Sequence, residues 1–206
     1  VATTNKNLAT ESLGIAYTEV SQAYASVTEK QNEQQSNQTF VDRNNLDLAV
    51  SKSNLLASED ELKIAKASES QAQNAALEAE KQSDIAAKLA NTTFQILQNA
   101  SDEEKVSAEN DYESASSTYL TKKAQTDDLN TAFQTKLEER VSKETQVDNL
   151  KVIKNHHIDI FNHLHTKAGI LNDNLNQANY VLKKATDKLS ESQTRVTNAD
   201  NRLTQL

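Results

Sequence analysis

Residues 147–206 read VDNLKVIKNHHIDIFNHLHTKAGILNDNLNQANYVLKKATDKLSESQTRVTNADNRLTQL. Positions taken alternately three and four apart give Val147, Leu150, Lys154, His157, Phe161, Leu164, Ala168, Leu171, Leu175, Ala178, Leu182, Ala185, Leu189, Ser192, Val196, Ala199, Leu203 and Leu206. Fifteen of these eighteen are apolar, and the residues between them are mostly Asn, Asp, Lys, Gln, Ser and Thr. A stripe that narrow, kept in phase for so long, is what a helix needs to bury one seam against partner helices.

The rest of the chain agrees with helices and little else. Pro is absent from the 206 residues and Gly occurs twice, so both common punctuators of turns are missing. Ala, Glu, Lys, Gln and Leu, all good helix formers, are abundant. Aromatic residues make up 4 % and the mean hydropathy is −0.74, too little apolar mass for a compact core but enough for a thin seam. A disordered polar chain is the competing reading of such a composition. Sustained heptad phase argues against it.

Charge and cysteine content exclude several functions. Lys and Arg number 22 against 30 Asp and Glu, for a net charge of −8, which is the wrong sign for holding phosphates. No run approaches the 18 or so apolar residues that span a bilayer. Without Cys there are no disulfides, thiolate nucleophiles or Cys-based zinc spacings. The sequence begins at Val1 and lacks Met, which fits a polypeptide cut from a precursor and stored or secreted. Three N-glycosylation sequons, at Asn37, Asn91 and Asn99, are about what chance gives in a chain so rich in Asn, Ser and Thr.

Chain reversals are harder to read than the seam. Ser101-Asp102-Glu103-Glu104 has the form of a capping box, in which Glu104 reaches back to the Ser101 N–H, and it places a reversal at 98–102. A second such box, Ser58-Glu59-Asp60-Glu61, either begins a helix or sits on one with Glu59 paired to Lys63. Gln31 to Asn45 is the stretch poorest in seam residues, and a reversal is expected at 36–45 in preference to 57–59. Lys151 to His157 interrupts the last seam, with Asn155 as a possible cap, and a third reversal is placed there. Leu13, Tyr17, Val20, Tyr24 and Val27 read as the first seam. Val41, Leu48, Leu55 and Leu62 continue it with Asn45, Lys52 and Glu59 as companions. Ala72, Ala76, Ala79, Ala86 and Ala90 form a small-residue face beside Leu77, Ile85 and Leu89. Ala108, Tyr112, Ala115, Tyr119, Leu129 and Phe133 lead to Leu137 and Val141, where the spacing slips to four and four, a stutter. The expected fold is all-α: one elongated domain, an antiparallel bundle of about four long coiled-coil helices.

Candidate chemistry is sparse. His156, His157, His163 and His165 cluster within ten residues, but the i,i+4 spacing favoured for metal on a helix is absent, as is Glu three residues before any of them. A polar face with one seam residue, His157, explains them best, with pH-sensitive packing as the alternative. Asp102, Glu103, Glu104, Asp127 and Asp128 are the candidate calcium ligands, although no EF-hand loop frames them and solvated helix faces account for most such acids. Gly14 and Gly169 lie within helical patterns and suggest close helix approach. No nucleophile elbow or phosphate loop is present, so an enzyme is not expected.

Acidic balance, Asn/Gln/Lys-rich polar faces, a start without Met and seams such as Leu171–Leu206 together resemble the trichocyst matrix, or granule lattice, proteins of ciliates. That resemblance implies a structural protein, cut from a precursor and packed with itself or homologous helical subunits into a crystalline secretory granule, with a response to calcium. It spans the whole chain but includes no diagnostic motif, so it assigns no residue a role. Rival readings are a helical pore-forming or membrane-binding toxin and a coiled-coil surface stalk.

Overall fold

The computed structural model describes residues 1–204 and is all-α. Helix α1 spans Ala2–Asn99 and helix α2 spans Lys105–Thr204. The expected reversal at the chain midpoint is present. The expected reversals at 36–45 and 151–157, and the alternative at 57–59, are not: helix continues through all three. Two helices therefore replace the expected four. Leu206 lies outside the described residues.

Both helices keep one heptad register from end to end. In α1 the seam runs through positions 2, 6, 9, 13, 16, 20 and so on to 97; in α2 it runs from 108, 112, 115 and 119 to 203. No position of either series is solvent-exposed. The stutter at Leu137 and Val141 is thus absent. Lys136, Arg140 and Lys143 occupy the seam there, and Val141 stands outside it, 48 % exposed. Register is the quantity the seam conserves; residue type is not.

One phase of the α1 seam is small over most of its length: Ala16, Ala23, Asn37, Asn44, Ser51, Ser58, Ala65, Ala79 and Ala86, spaced at multiples of seven, are all buried, and Lys30, half-buried, is the long side chain among them. The other phase carries Leu13, Val20, Val27, Val41, Leu48, Leu55 and Leu62. Tyr17 and Tyr24, expected in the seam, are 53 % and 65 % exposed, because Ala16 and Ala23 beside them take the inward positions. Likewise Asn44, Ser51 and Ser58 displace the expected companions Asn45, Lys52 and Glu59. Where Ala, Ser or Asn recurs every seventh residue, a second helix can come close enough that larger neighbours no longer fit between.

Two compact units make up the chain: residues 1–50 with 155 onward, and residues 51–154. In the first unit, α1 and α2 run antiparallel, with Lys6 paired to Asp200 at 2.7 Å and Lys188 to Glu19 at 3.2 Å. In the second, Lys143 reaches Glu61 at 2.6 Å and Lys66 reaches Glu144 at 3.1 Å, while the Thr126 hydroxyl donates to the Ala79 carbonyl. Phe94 and Tyr112, 5.2 Å between ring centroids, join the two helices of this unit beside the turn.

The turn, residues 100–104, uses neither Gly nor a positive φ. The Asn99 side chain donates to the Gln95 carbonyl at 2.8 Å, competing with the helix it ends. Glu104 reaches back to Ser101 as the capping box anticipates, though the Ser101 hydroxyl donates to the Glu104 carboxylate at 2.8 Å instead of accepting from a backbone N–H. Along both helices exposed Thr hydroxyls, as at Thr18, Thr39, Thr118 and Thr166, fold back onto the carbonyl four residues earlier. A Thr-rich surface is thereby satisfied without leaving the helix.

Gly14 and Gly169 are exposed, and a Cβ at either would meet nothing within 4 Å. Close approach is not the reason for them. Gly14→Ala and Gly169→Ala are each expected to raise stability by about 0.5–1 kcal/mol, because Ala restricts the unfolded chain and meets no clash in the helix. Chemical denaturation measures this; a loss of stability in both variants would contradict the open space around them.

Candidate functional site

The polar residues that interrupt the seam in the first unit are organised. Asn37 and Asn44 occupy the same seam phase one heptad apart and are 2 % and 6 % exposed. Each side-chain amide crosses to α2: Asn37 Nδ2 donates to the Leu164 carbonyl at 3.2 Å and Asn44 Nδ2 to the His157 carbonyl at 3.0 Å. These acceptors are themselves one heptad apart. Asn44 Oδ1 lies 3.3 Å from His157 Nδ1. An amide oxygen can only accept, so in this contact His157 Nδ1 is the donor to Asn44 Oδ1. Asn37 Oδ1 has no such partner and is buried without a hydrogen bond. The expectation that His157 is a seam residue holds, and the sequence signal for its partners was two Asn seven residues apart.

The other imidazoles stay outside. His156, His163 and His165 are exposed, and His165 stacks on Phe161 with centroids 6.1 Å apart. His156 and His163 share a face but are separated by about 10 Å of helical rise, too far to share one ion. Among the described residues, no group of three or more His, Cys, Asp or Glu is placed to hold a metal ion.

The five candidate calcium ligands divide into two places. Asp102, Glu103 and Glu104 lie in the turn; Asp127 and Asp128 are exposed on α2, about 33 Å along the helix from its start at Lys105. Glu103 and Glu104 line an open groove of about 640 Å³ with Asp111, Asn99 and Ile96. The hydrogen bonds from Ser101, side chain first and backbone second, hold the Glu104 carboxyl below its ordinary range.

Charge enters the seam of the second unit. Arg140, 22 % exposed along its side chain, bridges Glu69 across the seam and Glu144 on its own helix. A hydrogen bond from Lys66, supported by the Arg140 charge, lowers the Glu144 carboxyl, and one from Lys136 does the same for Glu139. In the second capping box, Ser58 is a buried seam residue and Lys63 pairs with Asp60 at 2.7 Å, not with Glu59, raising the lysine.

No helix among the described residues is long and apolar enough to cross a membrane. Comparison with known proteins adds no assignment: no family model, curated protein or solved structure matches the chain.

Proposed function

We propose that this chain is a structural assembly module, whose paired helices pack with copies of themselves or with homologous helical subunits into an ordered lattice. The observation that carries this reading is the apolar surface left outside the seam. In the second unit Leu56, Ile64, Leu77, Ile85 and Leu89 are 49–71 % exposed, and in the first Leu8, Ile15 and Leu46 are 57–69 % exposed. None of the described side chains is fully buried, since a seam of two helices covers its residues from one direction only. Burial of apolar area stabilises association by about 25 cal/mol per Å², so a second layer of helices is the natural way to remove this surface from water. Two copies side by side would put four helices in cross-section.

The net charge of −8 opposes that packing. Calcium relieves it by bridging carboxylates such as Asp102, Glu103 and Glu104 on one copy and Asp127 and Asp128 on another, whereas monovalent salt only screens them. A secretory granule or the extracellular space, reached after proteolytic processing, supplies the calcium, in keeping with the resemblance to trichocyst matrix proteins. Catalysis has no part in this reading.

Light scattering across a millimolar calcium series, matched in ionic strength with sodium chloride, is expected to show growth and ordering in calcium alone. Particle size and order that ignore calcium would leave a passive coiled-coil stalk as the better account. Lysis of liposomes by the free chain would favour the membrane-binding toxin.

A further inference from the structure

The seam of the first unit repeats itself. In α1 the small phase is Ala2, Ala9, Ala16 and Ala23, and in α2 it is Ala178, Ala185, Ser192 and Ala199. The larger phase is equally periodic, with Leu13, Val20 and Val27 on one helix and Leu175, Leu182, Leu189 and Val196 on the other. Over these residues, moving one helix past the other by seven exchanges Ala for Ala or Ser, and Leu for Leu or Val; the residue type changes where the runs end, as at Lys30, Gln34, Ala168 and Leu171. Apolar packing therefore discriminates poorly between registers one heptad apart.

The polar layer does discriminate. Asn44 and His157 form a reciprocal contact with both amide groups satisfied, and only a residue opposite His157 can make it. Asn37 makes the same donation to a backbone carbonyl but faces Leu164, which offers its oxygen nothing. Shifted one heptad in one direction, Asn37 would stand opposite His157 and Asn44 would leave it, exchanging the satisfied and the orphaned amide. Shifted the other way, Asn44 would face Leu164, Asn37 would face Leu171, and His157 would have neither amide opposite it.

We propose that the Asn44–His157 pair sets the helix register of the first unit, and that Asn37 is a second stop for the same histidine one heptad away. Buried polar groups select among packings that apolar side chains leave nearly degenerate, because a wrong register strands a donor or an acceptor. The two stops have equal polar chemistry, so the seam has one defined alternative register, not a continuum. The slack for reaching it has to come from the turn or from a local break in one helix, so the alternative is a minor species while Asn44 is present.

The absence of cysteine makes disulfide trapping a direct test. Ser12 and Ser192 approach within 3.5 Å through their hydroxyls, so Ser12→Cys with Ser192→Cys reports the observed register. Ser12→Cys with Ala185→Cys reports the register in which Asn37 meets His157, and Ser12→Cys with Ala199→Cys reports the opposite shift. In an otherwise natural chain, oxidation of the dilute monomer should close 12–192 fastest. Adding Asn44→Leu should raise the rate of 12–185 closure about tenfold or more, with no rise at 12–199 and helix content kept. Asn37→Leu should leave 12–192 dominant. An unchanged 12–185 rate in Asn44→Leu overturns the proposal, and a rise at 12–199 removes Asn37 as the second stop. Should Asn44→Leu lose its helix, Asn44→Ser is read instead, since Ser51 and Ser58 show that serine fits this phase. Loss of helix in both variants would mean that the pair supplies stability and not register, which also overturns the proposal.

Discussion

Leu171→Ala is expected to destabilise the first unit by about 2–4 kcal/mol, while Ile170→Ala, one residue earlier, changes stability by about 0.5 kcal/mol or less. The two side chains have the same number of carbons, so composition predicts equal effects. Their environments differ: Leu171 is 6 % exposed in the seam, and Ile170 is 57 % exposed. Truncating Leu171 loses its transfer energy and leaves a cavity between two helices, which the paired backbones relax into only in part. Leu175 and Leu182 are half-buried and fall between the two, while Asn174 and Lys183, both exposed, should be nearly silent. Thermal melting followed by circular dichroism measures the series. Equal effects at 170 and 171 would remove the register assigned to α2.

A larger contrast is expected in the second unit, and in the opposite sense to residue size. Ala86→Glu should cost about 3–5 kcal/mol, because the position is 6 % exposed and a carboxylate there is buried without a partner. Ile85→Glu should be tolerated, since Ile85 is 61 % exposed and Glu suits a solvated helix face. It should also weaken association between copies if Ile85 belongs to the surface that packs in the lattice. Melting temperature and sedimentation velocity on the same pair of variants separate the two effects. A stable Ala86→Glu would show that the small phase does not face α2.

The pair Ala16 and Tyr17 shows why the fold is legible in outline while its seam drifts in detail. A heptad is recognised by its large apolar members, and in α1 those sit in one phase only. Where the other phase holds Ala16, Ala23, Asn44 or Ser58, a neighbouring Tyr, Asn or Glu looks equally suitable, and the inferred stripe drifts by one residue. From Val147 to Leu203 the α2 seam is legible because Leu and Val occupy enough of it to pin the phase. The two reversals assigned to 36–45 and 151–157 came from the same source. Polar residues in a seam resemble an interruption until their partners are known: Asn37 and Asn44 face α2 backbone carbonyls, and His157 faces Asn44, across more than 100 residues of sequence. The midpoint turn was legible because its cues, Asn99 and the Ser101–Glu104 box, are local.

The two units also differ in how far their partners lie apart along the chain. Thr126 meets Ala79, 47 residues away, whereas Ser12 meets Ser192, 180 residues away. Closing the longer loop costs only about 1 kcal/mol more in chain entropy, but it has to be met before any contact repays it. Pairing that spreads outward from the 100–104 turn shortens the effective loop at each step, so the second unit is expected to fold before the first. During that interval the Ala- and Leu-bearing seams of residues 1–50 and 155–204 are unpaired and available to another chain in the same condition. Refolding at high concentration is therefore expected to favour exchange of these segments between molecules, and refolding at high dilution their pairing within one molecule.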